Sequence, residues 1–152
     1  MRISAKADYA VRVAAELADH PPGQPVKGEA LARAQDAPLK FLENILGSLR
    51  TSGIVASRRG ADGGYLLARP PAEITVADVI RAVDGPLGAV RGEAPEAHDY
   101  HGAATRLVDV WIAARASLRD VLEHVTLADL AAGTLPAKVE RLASRPEARK
   151  RR

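Results

Sequence analysis

"IVASRRGADGGYLLARP", residues Ile54–Pro70, is the stretch whose reading decides the fold. Ile54-Val55-Ala56-Ser57 and Tyr65-Leu66-Leu67 are β-prone runs. Asp62-Gly63 between them is a hairpin turn signal, and Gly60 and Gly64 tolerate positive φ around it. A phosphate-binding loop is the competing reading. It fails, because there is no Gly-Lys-Ser/Thr and the stretch leads into a strand and Pro70-Pro71 instead of a helix. The stretch is therefore a β-hairpin with Arg58 and Arg59 at its base.

Immediately upstream, Pro38 suits the first turn of a helix running to about Thr51. Leu39, Leu42, Ile45, Leu46 and Leu49 make its inward face, while Lys40, Glu43, Asn44 and Gly47 fall on the other side. Gly53 is placed to end it. A shorter helix over Gly28–Ala34 precedes it across the tight Asp36-Ala37 connection, so the two form a helix-turn-helix candidate. Helix pairs of this spacing are common, but a hairpin attached directly to one makes a winged helix. At the start, Ser4 is an N-cap for a helix over Ala5–Asp19, with Tyr9, Val13 and Leu17 as its stripe. His20-Pro21-Pro22 ends it.

In that arrangement the arginines acquire a role. Arg50, Arg58, Arg59 and Arg69 stand against only Asp62, a local balance of +3. A wing beside a recognition helix places Arg58 and Arg59 near phosphate or a narrow groove. The other reading is solvated arginines, one of them paired with Asp62.

Downstream, Thr75 to Asp78 reads as a capping box opening a helix to Val83, ended by Gly85-Pro86. Residues 88–102 lack apolar periodicity and read as a loop. A long helix is expected from Ala103 to His124. Leu107, Trp111, Ala114, Leu118, Val121 and Val125 form a heptad-like seam on it, widened by Val108, Ile112 and Leu122. One side can pack on the domain and the other on a second copy; completing its own core is the alternative. Thr126 to Asp129 caps a last short helix. From Ala137 to Arg152 there are seven basic and two acidic residues, so this tail carries +5 and the remaining chain −2. The tail is expected to be disordered. The organisation is then 1–85 winged-helix domain, 86–102 loop, 103–135 dimerisation and terminal helices, and 136–152 basic tail.

Composition narrows the function. The chain has 152 residues, 47% of them hydrophobic, and no cysteine. Disulfides, thiolate zinc sites, cysteine-held clusters and cysteine nucleophiles are excluded together. Charged Lys6, Asp8 and Arg12 interrupt any signal peptide, and no apolar run reaches the ~20 residues of a membrane span. A cytoplasmic protein without membrane partners is expected. None of His20, His98, His101 and His124 lies in a nucleophile–base arrangement, so no enzyme is expected.

Three stretches resemble the IscR/NsrR-type bacterial winged helix-turn-helix transcription regulators. They are "MRISAKADYAVRVAAELA" at the start, "FLENILGSLRTSGIVASRRGADGGYLLARPPAEITVADVIRAVDG" in the middle and "TLADL" after the long helix. The resemblance spans about residues 1–131. It implies a mainly α fold, a winged helix-turn-helix DNA-binding domain with a two-stranded β-wing and a long C-terminal dimerisation helix. The implied function is a homodimeric, sequence-specific regulator of transcription acting on double-stranded DNA, a repressor or an activator, with repressor the leading reading. By matched position, Lys40, Glu43 and Asn44 would contact bases, Arg59 would be the wing arginine, and Arg2 and Lys6 would lie near the DNA backbone. Asparagine can bond adenine and glutamate can accept from cytosine. Relatives that sense redox state hold an iron–sulfur cluster through three loop cysteines. That cluster cannot be carried over to a cysteine-free chain, so no cofactor is expected. Asp8, at a cluster-ligand position of some relatives, forms with His98 and His101 a weak metal candidate against the reading of a solvated loop. An unidentified small molecule between the loop and the long helix is one route to regulation, and no regulation is the other. The wing departs from the family in Ala61 and Asp62. A protein-interaction adaptor that kept the fold and lost specific DNA binding is the alternative function.

Overall fold

The computed structural model describes residues 3–150. Helix α1 spans Ala5–Asp19, and the Ser4 hydroxyl accepts from the Ala7 amide at 2.9 Å, as an N-cap does. It buries Ala7, Ala10, Val13, Ala14 and Leu17. Helices α2 (Gly28–Ala34) and α3 (Leu39–Thr51) follow, and α3 buries Leu42, Ile45, Leu46 and Leu49. Between them Asp36 takes a left-handed conformation with φ 48°. The end of α3 is a Schellman closure. Gly53 stands at φ 71° and donates to the Arg50 carbonyl at 3.0 Å, while Ile54 donates to Leu49 at 3.0 Å.

Strands β1 (Val55–Arg58) and β2 (Gly64–Leu67) pair antiparallel, with Val55 opposite Leu67 and Arg58 opposite Gly64. The hairpin forms as expected, but Asp62-Gly63 is not a two-residue turn. The connection runs Arg59–Gly63, closed by the Gly63 amide on the Gly60 carbonyl at 3.0 Å, with Gly60 and Gly64 at positive φ. Gly63 is needed for a different reason than turn geometry: a Cβ there would lie 2.1 Å from the Arg58 carbonyl oxygen. Val26 adds a further rung, exchanging two 2.8 Å hydrogen bonds with Tyr65. That rung explains Gly64, whose Cβ would meet the Val26 carbonyl oxygen at 2.5 Å. Gly64→Ala is expected to destabilise the wing by about 1–3 kcal/mol through clash and strain. Thermal melting unchanged from wild type would show that the rung does not hold the wing.

Helix α4 (Val76–Asp84) and helix α6 (Leu127–Ala132) each begin with a complete capping box, Thr75/Asp78 and Thr126/Asp129. The two boxes sit side by side. The Val76 amide donates to Val125 and the Leu127 amide to Ile74, each at 2.9 Å. Ile74, Val79 and Leu127 thereby join α1 and α3 in one core.

Three expectations need correction. The long helix, α5, spans Leu107–Leu122. A 3₁₀ turn occupies Gly102–Ala104 and the N-cap Arg106 stands at φ −85° and ψ 2°, outside α-helical values, so the helix starts four residues later than Ala103. Val125 therefore lies beyond α5, off the seam; its side chain is 5% exposed and its carbonyl is bonded to the Val76 amide. The tail expected to be disordered carries helix α7 (Ala137–Ala143), tied back by Lys138 donating to Asp120 on α5. Alanine, lysine, glutamate, arginine and leucine in that stretch favour helix despite its charge. Among the described residues no helix is long and apolar enough to cross a membrane.

Candidate nucleic-acid interface

The outer face of α3 exposes Lys40, Glu43, Asn44 and Arg50. Lys40 and Glu43 form an i,i+3 pair at 3.9 Å, with the lysine almost fully solvated. Such a pair is weak enough to exchange for another partner. The hydroxyls of Ser48, Thr51 and Ser52 turn back onto the helix's own carbonyls. The Asn44 amide has no intramolecular partner among the described residues, so both its donor and its acceptor face outward. A Cβ on Gly47 would meet nothing within 4 Å, so packing in this chain does not demand glycine there.

Arg50 reaches the Ser57 hydroxyl at 3.4 Å and so links α3 to the first strand of the wing. Arg58 and Arg59 are exposed, and among the described residues neither has an ion-pair partner. The pairing of one of them with Asp62 is not formed. The two arginines stand at the tip end of the hairpin and not at its base: Arg58 closes β1 opposite Gly64 and Arg59 lies in the connection, so strand alternation does not set their relative directions. Lys27, which the sequence reading passed over, donates to the Ala61 carbonyl and tethers the wing tip to the start of α2.

Of the two other assigned positions, Lys6 is described and Arg2 is not. The Lys6 ammonium sits 3.2 Å from the Val83 carbonyl, at the C-terminal end of α4 where a cation is favoured. It is used by the fold. Arg2 lies outside the described residues.

The three metal candidates are not brought together. Asp8 pairs with Arg12 at 3.7 Å, the His98 ring lies 2.7 Å from the Val90 carbonyl, and His101 is exposed. No group of three or more histidines and carboxylates able to hold a metal occurs among the described residues. Instead the 86–102 loop is clasped to α5 by a bidentate ion pair between Glu96 and Arg115, and Gly88 packs against the Arg115 stem. Arg115 holds the Glu96 carboxyl below the usual carboxylate range and is itself raised by it. A carboxylate lowered in the fold contributes above its unfolded value, and that contribution is lost as pH falls through the lowered one. Trp111, the only tryptophan, lines a cleft with Gly88, Ala89 and Val90. Its emission should therefore shift on acidification below the usual carboxylate range, and Glu96→Gln should show the shifted emission already at neutral pH. An identical acid step in that variant would exclude the clasp.

Helix α5 buries none of its residues within the chain. Leu107, Val108, Trp111, Ile112, Ala114, Leu118 and Val121 are half-exposed, and Val110 is 55% exposed. A groove of about 700 Å³ runs beside it, lined by Ile3, Ile80, Leu87, Leu118 and Leu122.

Comparison with known proteins agrees with this geometry. The Rrf2 family, described as "Iron-dependent Transcriptional regulator", matches residues 3–133. Rv1287 of Mycobacterium tuberculosis is 53% identical over 147 residues, covering 94% of this chain and 89% of its own. The HTH-type transcriptional regulator CymR of Bacillus subtilis is 35% identical over 134 residues, covering 88% and 92%. The structure of CymR, described as the global cysteine regulator of that organism, superposes with a TM-score of 0.75 at 34% identity, over 88% of this chain and 98% of that one. IscR of T. potens superposes at 0.68 and 30% identity, over 100% and 93%.

Proposed function

The chain belongs to the Rrf2 family of DNA-binding transcriptional regulators, and from that premise we propose that it is a homodimeric, sequence-specific repressor. Helix α3 reads base edges through Asn44, Glu43 and Lys40, and Arg50, Arg58 and Arg59 hold phosphate or the adjoining minor groove. One observation carries this reading. The outward row of α3 and the free arginines of the wing are contiguous through the Arg50–Ser57 contact, and the Asn44 amide is left without an internal partner. The open face of α5 supports the dimer, because a 16-residue helix with eight half-buried apolar positions and none fully buried is only partly covered in the single chain. Repression needs no further surface, since occupancy of a promoter by the dimer suffices.

The family description names iron, but the donors here do not fit a cysteine-held cluster. The chain has no cysteine, Asp8 is paired with Arg12, and His98 is engaged by its own loop. Regulation, where it exists, acts through the loop and α5 by another chemistry, with a small molecule as the candidate effector. The test is selection of bound duplexes from random DNA by the purified full chain. A palindrome whose half-sites are about one helical turn apart, or a multiple of that, is the expected outcome. Binding without any preferred sequence would favour an adaptor over a repressor.

A further inference from the structure

One turn of α1 grips both members of the helix-turn-helix pair. Arg12 donates from Nε to the Gln35 side-chain oxygen at 3.0 Å and from Nη2 to the Gln35 backbone carbonyl at 2.7 Å. That carbonyl belongs to the C-cap of α2, where helix acceptors lose their intrahelical donors. The Gln35 amide group donates in turn to Glu16 at 3.0 Å. The guanidinium lies 4.3 Å above the Tyr9 ring, and the Tyr9 ring meets Phe41 of α3 edge-on, at 5.4 Å and 89°. Gln35, Arg12, Tyr9 and Phe41 thus form one continuous connection from the end of α2 to the start of α3. It spans the segment in which Asp36 takes a left-handed conformation, costly for a residue with a side chain. A turn of that kind holds its shape only when its surroundings impose it.

We propose that Arg12 is a positioning residue. It fixes the angle of α3 against α1 and α2, and with it the sequence discrimination of the protein, without touching DNA. The planar guanidinium is essential to this role. It bonds two acceptors in one plane while stacking on an aromatic face, which an ammonium cannot do. The proposal rests on the reading above that α3 faces base edges.

The test uses the full chain with Arg12→Lys, Arg12→Met and Gln35→Leu, each titrated against the selected duplex and a scrambled one over a range of salt. All three variants should lower the ratio of specific to non-specific affinity by about 3–30-fold, the range seen for residues that act through a packed network. The salt slope should stay at the wild-type value. Restoration of the ratio by Arg12→Lys, together with a slope smaller by about one in Arg12→Met, would identify a phosphate contact and overturn the proposal. Equal loss on both duplexes would indicate only a smaller folded fraction and also overturn it. A second arm is independent of DNA. Exchange of the Ala37 amide, bonded to the Ala32 carbonyl at 3.0 Å, should be faster in all three variants. If the wild type prefers no duplex, base reading by α3 falls, and this arm alone decides the coupling: unchanged exchange overturns it.

Discussion

Leu118→Asp is expected to convert the proposed dimer to a monomer and to weaken operator binding by about 10²–10⁴-fold, the avidity lost when two linked half-site contacts become one. Leu118 stands on α5 beside Leu122 and faces the groove that also exposes Ile3. Ile3 is 71% exposed in the single chain, an unusual state for an isoleucine next to an apolar groove. A carboxylate in that contact would be buried without a partner, at a cost of several kcal/mol. The fold itself should survive, because no α5 residue belongs to the buried core. Light scattering and far-UV circular dichroism read the two effects separately. A folded protein that remains dimeric would remove α5 as the interface. A monomer that binds its operator as tightly as the wild type would remove bivalency as the source of affinity.

The parts of the fold that were legible are those with local chemical signals. Ser4, Thr75 and Thr126 are caps whose partners lie three residues away, so short sequence windows contain the whole interaction. The inward row of α3 and the glycine that ends it are equally local. What escaped was long-range. The Val26–Tyr65 rung joins positions separated by the entire helix pair, and a lone valine between Pro25 and Lys27 carries no strand pattern. The early end of α5 escaped because Val125 continues the apolar spacing of the seam. Spacing cannot distinguish a residue on the helix from one that pairs its backbone with Val76 after the helix has ended. In the tail the density of charge points to disorder and masks the helix propensity of its residues, while the Lys138–Asp120 contact that docks it is invisible locally.

The candidate interface shows the same division. Outward placement of Lys40, Glu43 and Asn44 follows from helical periodicity. Lys6 was assigned by position alone, and only the packing of α1 on α4 shows its ammonium directed to the Val83 carbonyl. In the sequence Arg12 is only a charge that interrupts any signal peptide. Its partners Gln35 and Tyr9 lie 23 residues away and on the preceding turn, so no single motif contains them.

The wing and the recognition helix should fail differently, which gives the second large effect. Asn44→Ala removes an outward amide that can bond adenine at two points, so it should relax sequence choice by about 1–3 kcal/mol, roughly 5–150-fold. Its salt dependence should stay the same, because no charge is lost. Arg59→Ala should instead weaken binding to every duplex and lower the salt slope by about one, since phosphate and groove-shape contacts are mainly electrostatic. The loss should be greatest where A·T-rich sequence lies under the wing, where the narrow groove concentrates negative potential. Arg58 is the last residue of β1, held in the ladder opposite Gly64 while Arg59 projects from the connection, and Arg58→Ala should cost less. Asp62 stands in the same connection as Arg59 and is exposed, so Asp62→Asn should strengthen binding by relieving repulsion from phosphate. Titration of the four variants against selected and scrambled duplexes at fixed and varied salt measures all of these. Damage from Arg58→Ala with a neutral Arg59→Ala would invert the orientation of the wing. An Asn44→Ala variant that keeps its full preference would move base reading away from this face of α3.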